Sequence, residues 1–346
     1  MRFGKIANIL RVSCQSFFYL FDMKVSIPVF KDSSCIGMVG CREMLCKAGI
    51  MHMQLHETQE PFFNVEFVYF NENPELTAGQ YPLQCHRHIS EVDATDLVII
   101  PNLADDIPGQ LPDLQPFVKW IQKIYDNGAE VASICTGAFV LAETGLLDDK
   151  DAATHWVAVD LFKLRYPKVR LHEHKVLVDN GRIYCSGGAT SFANLIIYLI
   201  EKYCGNETAS LASKMFLVDY HKDSQSSYAM FSTQKHHTDM VIRRIQNHIE
   251  EHPGENLSID ELAQISSLSR RNFIRRFKQA TANTPREYVR RVKVEFAKKL
   301  LERQNLTFEE IAWRSGYEDV NSFRIVFKKY TGLNPTAYRQ KYRFAM

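Results

Sequence analysis

Neither a Cys-x-x-Cys pair nor a His-Glu-x-x-His motif occurs in this chain, and no apolar run reaches the ~18 to 20 residues that a membrane-spanning helix needs. Its eight cysteines (14, 35, 41, 46, 85, 135, 185 and 204) lie at spacings that suit no metal, and 346 residues can bury a core without disulfide staples. The reading is therefore reduced thiols in a cytoplasmic protein, with no metal site, no cofactor and no membrane partner. A secretory leader is not expected either. Residues 1–22 start basic and turn apolar, but Arg11 and Gln15 interrupt the run and no small-x-small cleavage site follows, so they read as an extension outside any domain.

A charge excess of one sign is also missing from the chain as a whole, whose net charge is +2. Cut at the polar stretch around residues 224–237, the balance changes. From Gln234 onward there are 22 Lys and Arg against 13 Asp and Glu, which leaves 20 against 27 in the remainder. An acidic body thus precedes a basic tail, and a folded basic tail suggests a polyanion as partner.

In the body, strand-like and helix-like segments alternate, which predicts a parallel sheet flanked by helices. Strands are expected at Val25 to Phe30, Val65 to Phe70, Leu97 to Pro101 and Glu130 to Ile134. Helices are expected at Met38 to Lys47, Leu114 to Asp126, Gly137 to Thr144 and Trp156 to Tyr166. Asp179-Asn180-Gly181 marks a hairpin between Lys175–Val178 and Arg182–Cys185, and two helices follow, Ser191 to Tyr203 and Glu207 to Tyr220. At Val131–Phe139 a buried strand runs straight into a helix, which puts Cys135 on a tight elbow. Backbone N–H groups and the helix dipole at such a place are expected to lower the thiol pKa.

Ser133-Ile-Cys-Thr-Gly-Ala-Phe139, Ala153-Thr-His-Trp156 and Ser186-Gly-Gly188 make residues 24–215 resemble the ThiJ/PfpI branch of the class I glutamine amidotransferase-like fold. The resemblance implies an effector pocket or elbow at Cys135, Thr136 and His155. It also implies what an enzyme of this kind would need. Peptidase-like members have a histidine directly after the cysteine, where this chain has Thr136, and a glutamate after the first strand, where residues 31–39 offer Asp32 alone as an acid. Cys135 is open to three readings: a small residue required by the turn, a thiol lining a ligand pocket, or a nucleophile. His155 is read as a pocket-wall residue, and His236 and His237 as solvated linker residues.

The tail contains one unit used twice. Phe273/Phe323, Phe277/Phe327, Lys278/Lys328, Thr281/Thr331, Pro285/Pro335 and Tyr288/Tyr338 match at an offset of 50, and Glu261-Leu-Ala263 matches Glu310-Ile-Ala312 at 49. Ser258 with Glu261, and Thr307 with Glu310, form capping boxes that start short helices, Ser269 caps the next, and Gly316 permits the second turn. Each second helix should bury its two phenylalanines and expose its cations, which makes an all-α domain with two helix-turn-helix motifs. Trp313 is assigned to core packing with the phenylalanines. Arg286–Arg303 reads as one connecting helix, ~27 Å long at 1.5 Å per residue, with Tyr288, Val292, Ala297, Leu300 and Leu301 inward and Arg290, Arg291, Lys293, Lys298 and Lys299 mostly outward. That length is near the ~34 Å between successive major-groove faces of B-DNA.

These paired blocks make residues 238–343 similar to the AraC/XylS DNA-binding domain, and the whole chain resembles GlxA-type transcriptional regulators. The resemblance implies base-facing positions at Arg271, Ile274 and Arg275 in the first recognition helix and at Asn321 and Arg324 in the second. Ile325 stands where that family usually has arginine. Arg270, Arg276, Lys278, Arg290 and Lys328 are expected on phosphates. The domains implied are 23–220 for effector sensing, 221–237 as linker and 238–346 for DNA binding. Expected partners are double-stranded promoter DNA, a small-molecule effector and a second copy of the chain. The alternative is a cysteine-dependent amidase or peptidase-like enzyme fused to a DNA-binding tail.

Overall fold

The computed structural model describes residues 23–343, apart from 31–32, 71–74, 79–80, 104–105, 220–223, 232 and 236. The expectations for residues 1–22, Asp32 and His236 lie outside the described residues. Two compact units divide the chain. One runs up to His155 and takes in Tyr166–Asp223, and the other comprises Trp156–Arg165 and Ser224–Met346.

In chain order the strands are β1 (Met23–Pro28), β2 (Phe63–Tyr69), β3 (Glu75–Ala78), β4 (Tyr81–Gln84), β5 (Arg87–His88), β6 (Leu97–Ile100), β7 (Glu130–Ile134), β8 (Asp151–Ala152), β9 (Arg170–Leu171), β10 (Leu177–Asp179) and β11 (Ile183–Ser186). Seven of them form one sheet in the order β10-β11-β7-β6-β1-β2-β5. All its pairings are parallel except the β10–β11 hairpin at the edge, where Val178 faces Cys185. The central strands are apolar along their length, and Leu97, Val98, Ile99 and Ile100 are all fully buried. This is the pattern of a sheet covered on both faces.

The unit's helices are α1 (Cys35–His56), α2 (Ile107–Gln110), α3 (Gln115–Asp126) and α4 (Ala138–Glu143); α5 (Val159–Arg165) groups with the other unit, and α6 (Phe192–Phe216) completes this one. Helix α1 buries Met38, Cys41, Leu45 and Ala48 at three- and four-residue spacing. It packs with α6 over the face that carries Val25, Ile27, Leu97 and Ile99. Because successive strand side chains alternate, Val98 and Ile100 point to the opposite face, where α4 packs on β6 and both α3 and α4 pack on β7. The two helices expected after the hairpin meet end to end within α6 and are divided at Gly205, whose φ of +79° and ψ of 170° are non-helical, so the break falls between the two expected segments.

The second unit is helical: α7 (Met240–Glu251), α8 (Ile259–Ile265), α9 (Arg270–Thr281), α10 (Pro285–Arg303), α11 (Phe308–Arg314), α12 (Val320–Thr331) and α13 (Pro335–Tyr342). Its described residues form two hydrophobic cores. The first joins Ile242, Ile245 and Ile249 of α7 to Phe273, Phe277 and Tyr288, and the second joins Ala297, Leu300 and Leu301 of α10 to Phe323, Phe327 and Tyr338. Helix α10 closes the first core with one end and opens the second with the other. Among the described residues no helix is long and apolar enough to cross a membrane.

Candidate nucleic-acid interface and a cysteine elbow

Strand β7 ends at Ile134, and Cys135 turns the chain with φ +56°, a left-handed conformation that a non-glycine residue adopts at a cost. A 3-10 turn at 135–137 leads directly into α4. Gly137 is required here, since a Cβ would lie 2.4 Å from the Pro101 carbonyl oxygen. Thr136 Oγ1 accepts the Leu103 N–H at 2.8 Å and donates to the Leu103 carbonyl at 3.2 Å, so this hydroxyl latches the loop after β6 to the elbow. Thr154 Oγ1 donates to the Cys135 carbonyl at 3.0 Å. Next to it, His155 is half-buried, and burial lowers its pKa, which keeps the imidazole neutral.

The elbow geometry is as expected, but the thiol is the reverse of what the helix dipole suggests. Burial pushes the Cys135 pKa up to about 11, against lowering contributions from the Thr136 N–H and hydroxyl. The helix that should favour a thiolate is six residues long, and desolvation outweighs it. Among the described residues, burial and the Thr136 N–H and hydroxyl are what act on this thiol.

In the helical unit the expected caps are formed. Ser258 accepts from Glu261 N–H while the Glu261 carboxylate accepts from Ser258 N–H at 2.8 Å, and Thr307 with Glu310 repeats the arrangement. Ser269 caps α9, Asp319 caps α12, and a third box at Thr284 and Glu287 starts α10. The turns match too: Ser267 has φ +57° where the second copy has Gly316 at φ +72°.

The repeat's identities can be sorted by what each one does. Phe277 meets both Phe273 and Tyr288 edge-on, and Phe327 meets Tyr338 edge-on and Phe323 at a tilt. The tyrosine hydroxyls donate to Glu250 at 2.6 Å and Glu302 at 2.8 Å. Thr281 and Thr331 each donate to the carbonyl four residues back at 2.8 Å, closing their helices, and Pro285 and Pro335 open the next ones. Lys278 and Lys328 remain. Both side chains are exposed, and among the described residues only their helical carbonyls have partners.

Arg271, Arg275, Asn321 and Arg324 are exposed on α9 and α12, and Ile274 is half-buried against the first core. The Arg275 guanidinium is steadied by Asn272 Oδ1 at 3.0 Å and Gln279 Oε1 at 3.5 Å, neutral acceptors that leave its charge intact. Arg270 is exposed and 3.4 Å from Asp260, Arg290 is half-buried, and Lys278 and Lys328 are exposed. Arg276 differs from these. It makes a two-pronged contact with Asp239 at 2.9 and 2.8 Å, which holds the Asp239 carboxyl below its usual range and ties α9 to the cap of α7.

Three expectations are corrected. Trp313 is 75% exposed rather than packed, because α11 turns Ile311 and Ala312 inward and leaves residue 313 on its outer side. Lys293 and Lys298 are buried rather than outward. Lys293 donates to the Gly316 carbonyl at 2.9 Å and Lys298 to the Ala229 carbonyl at 2.6 Å, so each serves as a hydrogen-bond donor to a carbonyl that helix periodicity cannot foresee. His237 is half-buried and hydrogen-bonded to Gln246 at 2.8 Å rather than fully solvated. Helix α7 and its cap Asp239 lie outside the sequence expectations, although Asp239 followed by Ile242, Ile245 and Ile249 is a capped amphipathic pattern. Among the described residues no cluster of three or more His, Cys, Asp or Glu could hold a metal ion.

Two family models match the chain: the DJ-1/PfpI family over residues 24–202, more than half of it, and a helix-turn-helix domain over residues 262–341. The HTH-type transcriptional regulator CdhR of Pseudomonas aeruginosa is 27% identical over 223 residues, covering 64% of this chain and 66% of that one. GbdR of the same species, also an HTH-type transcriptional regulator, is 25% identical over 228 residues, 64% of this chain and 61% of its own. The matches thus span less than two thirds of the length of these curated relatives. A crystal structure from Vibrio parahaemolyticus, provisionally assigned as a transcriptional regulator protein, superposes with a TM-score of 0.50 and 25% identity, covering 57% of this chain and all of that one.

Proposed function

The chain belongs to the DJ-1/PfpI family and carries a C-terminal helix-turn-helix domain, and on that premise we propose that it is a sequence-specific DNA-binding transcriptional regulator whose N-terminal domain senses a small metabolite. The observation that carries the proposal is the residue left over from the repeat. Folding accounts for every duplicated position except Lys278 and Lys328, exposed at matching places on two second helices joined by one continuous α10. Two cationic helices, linked by 19 residues or about 28 Å at 1.5 Å per residue, suit successive major-groove faces on one side of a duplex.

In this reading Arg271, Ile274, Arg275, Asn321 and Arg324 face bases, and Lys278, Lys328, Arg270 and Arg290 neutralise phosphates. Arg276, committed to Asp239, positions α9 and is withdrawn from the phosphate set. Residues 23–220 sense the effector, 221–237 link and 238–346 bind DNA. Cys135, Thr136 and His155 mark the carboxyl end of β7, the side of an open α/β sheet where ligands bind. The effector acts by binding one arrangement of the chain better than another. The protein works in the cytoplasm as a homodimer, which raises the local concentration of the second DNA-binding domain at adjacent half-sites.

Catalysis by Cys135 is disfavoured by its raised pKa. Footprinting on DNA flanking the chain's own coding region, with and without small-molecule cell extract, tests the proposal. A discrete protected sequence whose protection changes with extract is the expected result, and uniform protection at all sequences would refute it. Alkylation of Cys135 should leave the footprint in place.

A further inference from the structure

The offset of 50 that aligns the two helix-turn-helix copies sets Ile274 against Arg324 and Arg275 against Ile325. Each second helix therefore carries one isoleucine and one arginine at the same two neighbouring positions, in opposite order. The order decides what each helix presents. In α9, Ile274 is half-buried against the first core and Arg275 is exposed. In α12, Arg324 and Ile325 are both exposed, and Ile325 keeps 71% of its surface open. At about 100° per residue, Ile325 lies two steps round from the buried Phe323, on the side away from the core. Asn321 precedes it by one turn and Lys328 follows by three residues, and both are exposed.

A branched apolar group thus sits among hydrogen-bonding and cationic side chains, where the first copy has a guanidinium. The floor of the major groove offers one apolar feature, the C5-methyl group of thymine, and its guanine O6 and N7 acceptors suit arginine. We infer that Ile325 reads a thymine methyl group in the base pair beneath α12, at the place where Arg275 reads a guanine beneath α9. This inference rests on the DNA-binding reading above and deepens it. The preferred duplex is then unlike in its two halves, with guanine under the first motif and thymine under the second.

The test uses the full chain. A preferred duplex is selected from a random library, and each thymine in it is then replaced singly by uracil, which removes the methyl group and keeps the base pairing. Loss of one apolar contact should weaken binding about three- to tenfold at one position. Ile325→Ala should bind thymine and uracil versions alike there, while Ile325→Val should retain part of the difference. Equal affinity of both variants for non-selected DNA serves as the control for folding. Indifference of the unaltered chain to uracil at every position, or an undiminished difference in Ile325→Ala, would overturn the inference and leave specific DNA binding standing. If selection enriches no sequence, the DNA-binding reading falls, and this inference with it.

Discussion

Cys135 holds φ +56° at the end of β7, a conformation that costs a non-glycine residue about 1 to 2 kcal/mol, and its thiol is buried deeply enough to raise the pKa from an ordinary 9.0 to about 11. Since the thiolate is the species that alkylates, reaction with iodoacetamide should be slow at pH 7.5 and should keep rising beyond pH 10, where an ordinary thiol has levelled off. Mass spectrometry of residue 135 across pH 7 to 11 measures this, and a plateau below pH 8 would contradict it. The linkage has a definite sign. The folded pKa lies above the unfolded one, so the thiol's contribution to stability is whole below pH 9 and is lost as pH rises through about 11. Arg275 and Arg324 supply a second residue-scale comparison. Arg275 is steadied by Asn272 and Gln279, and among the described residues Arg324 has no such pair of acceptors. A guanidinium already oriented loses less freedom on binding. Arg275→Ala should therefore cost more of the about 1 to 3 kcal/mol of base discrimination typical of one good contact than Arg324→Ala does. Titrations of each variant against preferred and scrambled duplexes separate the two.

At the scale of elements, the two motifs share one turn solved in two ways. Gly316 takes φ +72°, and a Cβ there would lie 2.6 Å from both the Gly254 carbonyl oxygen and Lys293 Nζ. Gly316→Ala should destabilise the second motif by about 2 to 4 kcal/mol, from backbone strain together with the clash. Ser267 pays the strain at the matching position with φ +57°, so Ser267→Gly should be neutral or stabilising by up to about 1 kcal/mol. Urea denaturation followed by helical circular dichroism distinguishes the two signs. The same comparison shows what could be read from the sequence. Capping boxes, paired phenylalanines and the Gly316 turn are local devices with fixed spacings, and the alternating body announced its parallel sheet in the same way. Lys293 and Lys298 were misplaced because their partners, the carbonyls of Gly316 and Ala229, are 23 and 69 residues away. Trp313 was misplaced because its bulk argued for burial while its helix position argued against it. The dipole at Cys135 was legible, but the desolvation that overrides it depends on the packed sheet around it.

For the whole molecule, the uneven charge carries the strongest quantitative expectation. The near-neutral total conceals a stretch from Gln234 onward with nine more basic than acidic residues, 22 against 13, and binding to a duplex should therefore weaken steeply with salt. If Lys278, Lys328, Arg270 and Arg290 each neutralise one phosphate, the slope of log K against log salt is about −3.6 per protomer, at about −0.9 per contact. A dimer with both tails engaged doubles this to about −7. Lys278→Ala and Lys328→Ala should each make the slope shallower by about 0.9 per protomer and lower affinity for preferred and scrambled duplexes equally. Arg276→Ala should act differently. Its guanidinium is held by Asp239, so its loss should reduce the stability of the helical unit and leave the salt slope almost unchanged. Fluorescence anisotropy on a labelled duplex between 50 and 300 mM salt, paired with sedimentation of the free chain, measures slope and protomer number together. A slope near −3.6 from a chain that sediments as a dimer would mean that one tail binds at a time, and a slope that Lys278→Ala leaves unchanged would remove that lysine from the interface.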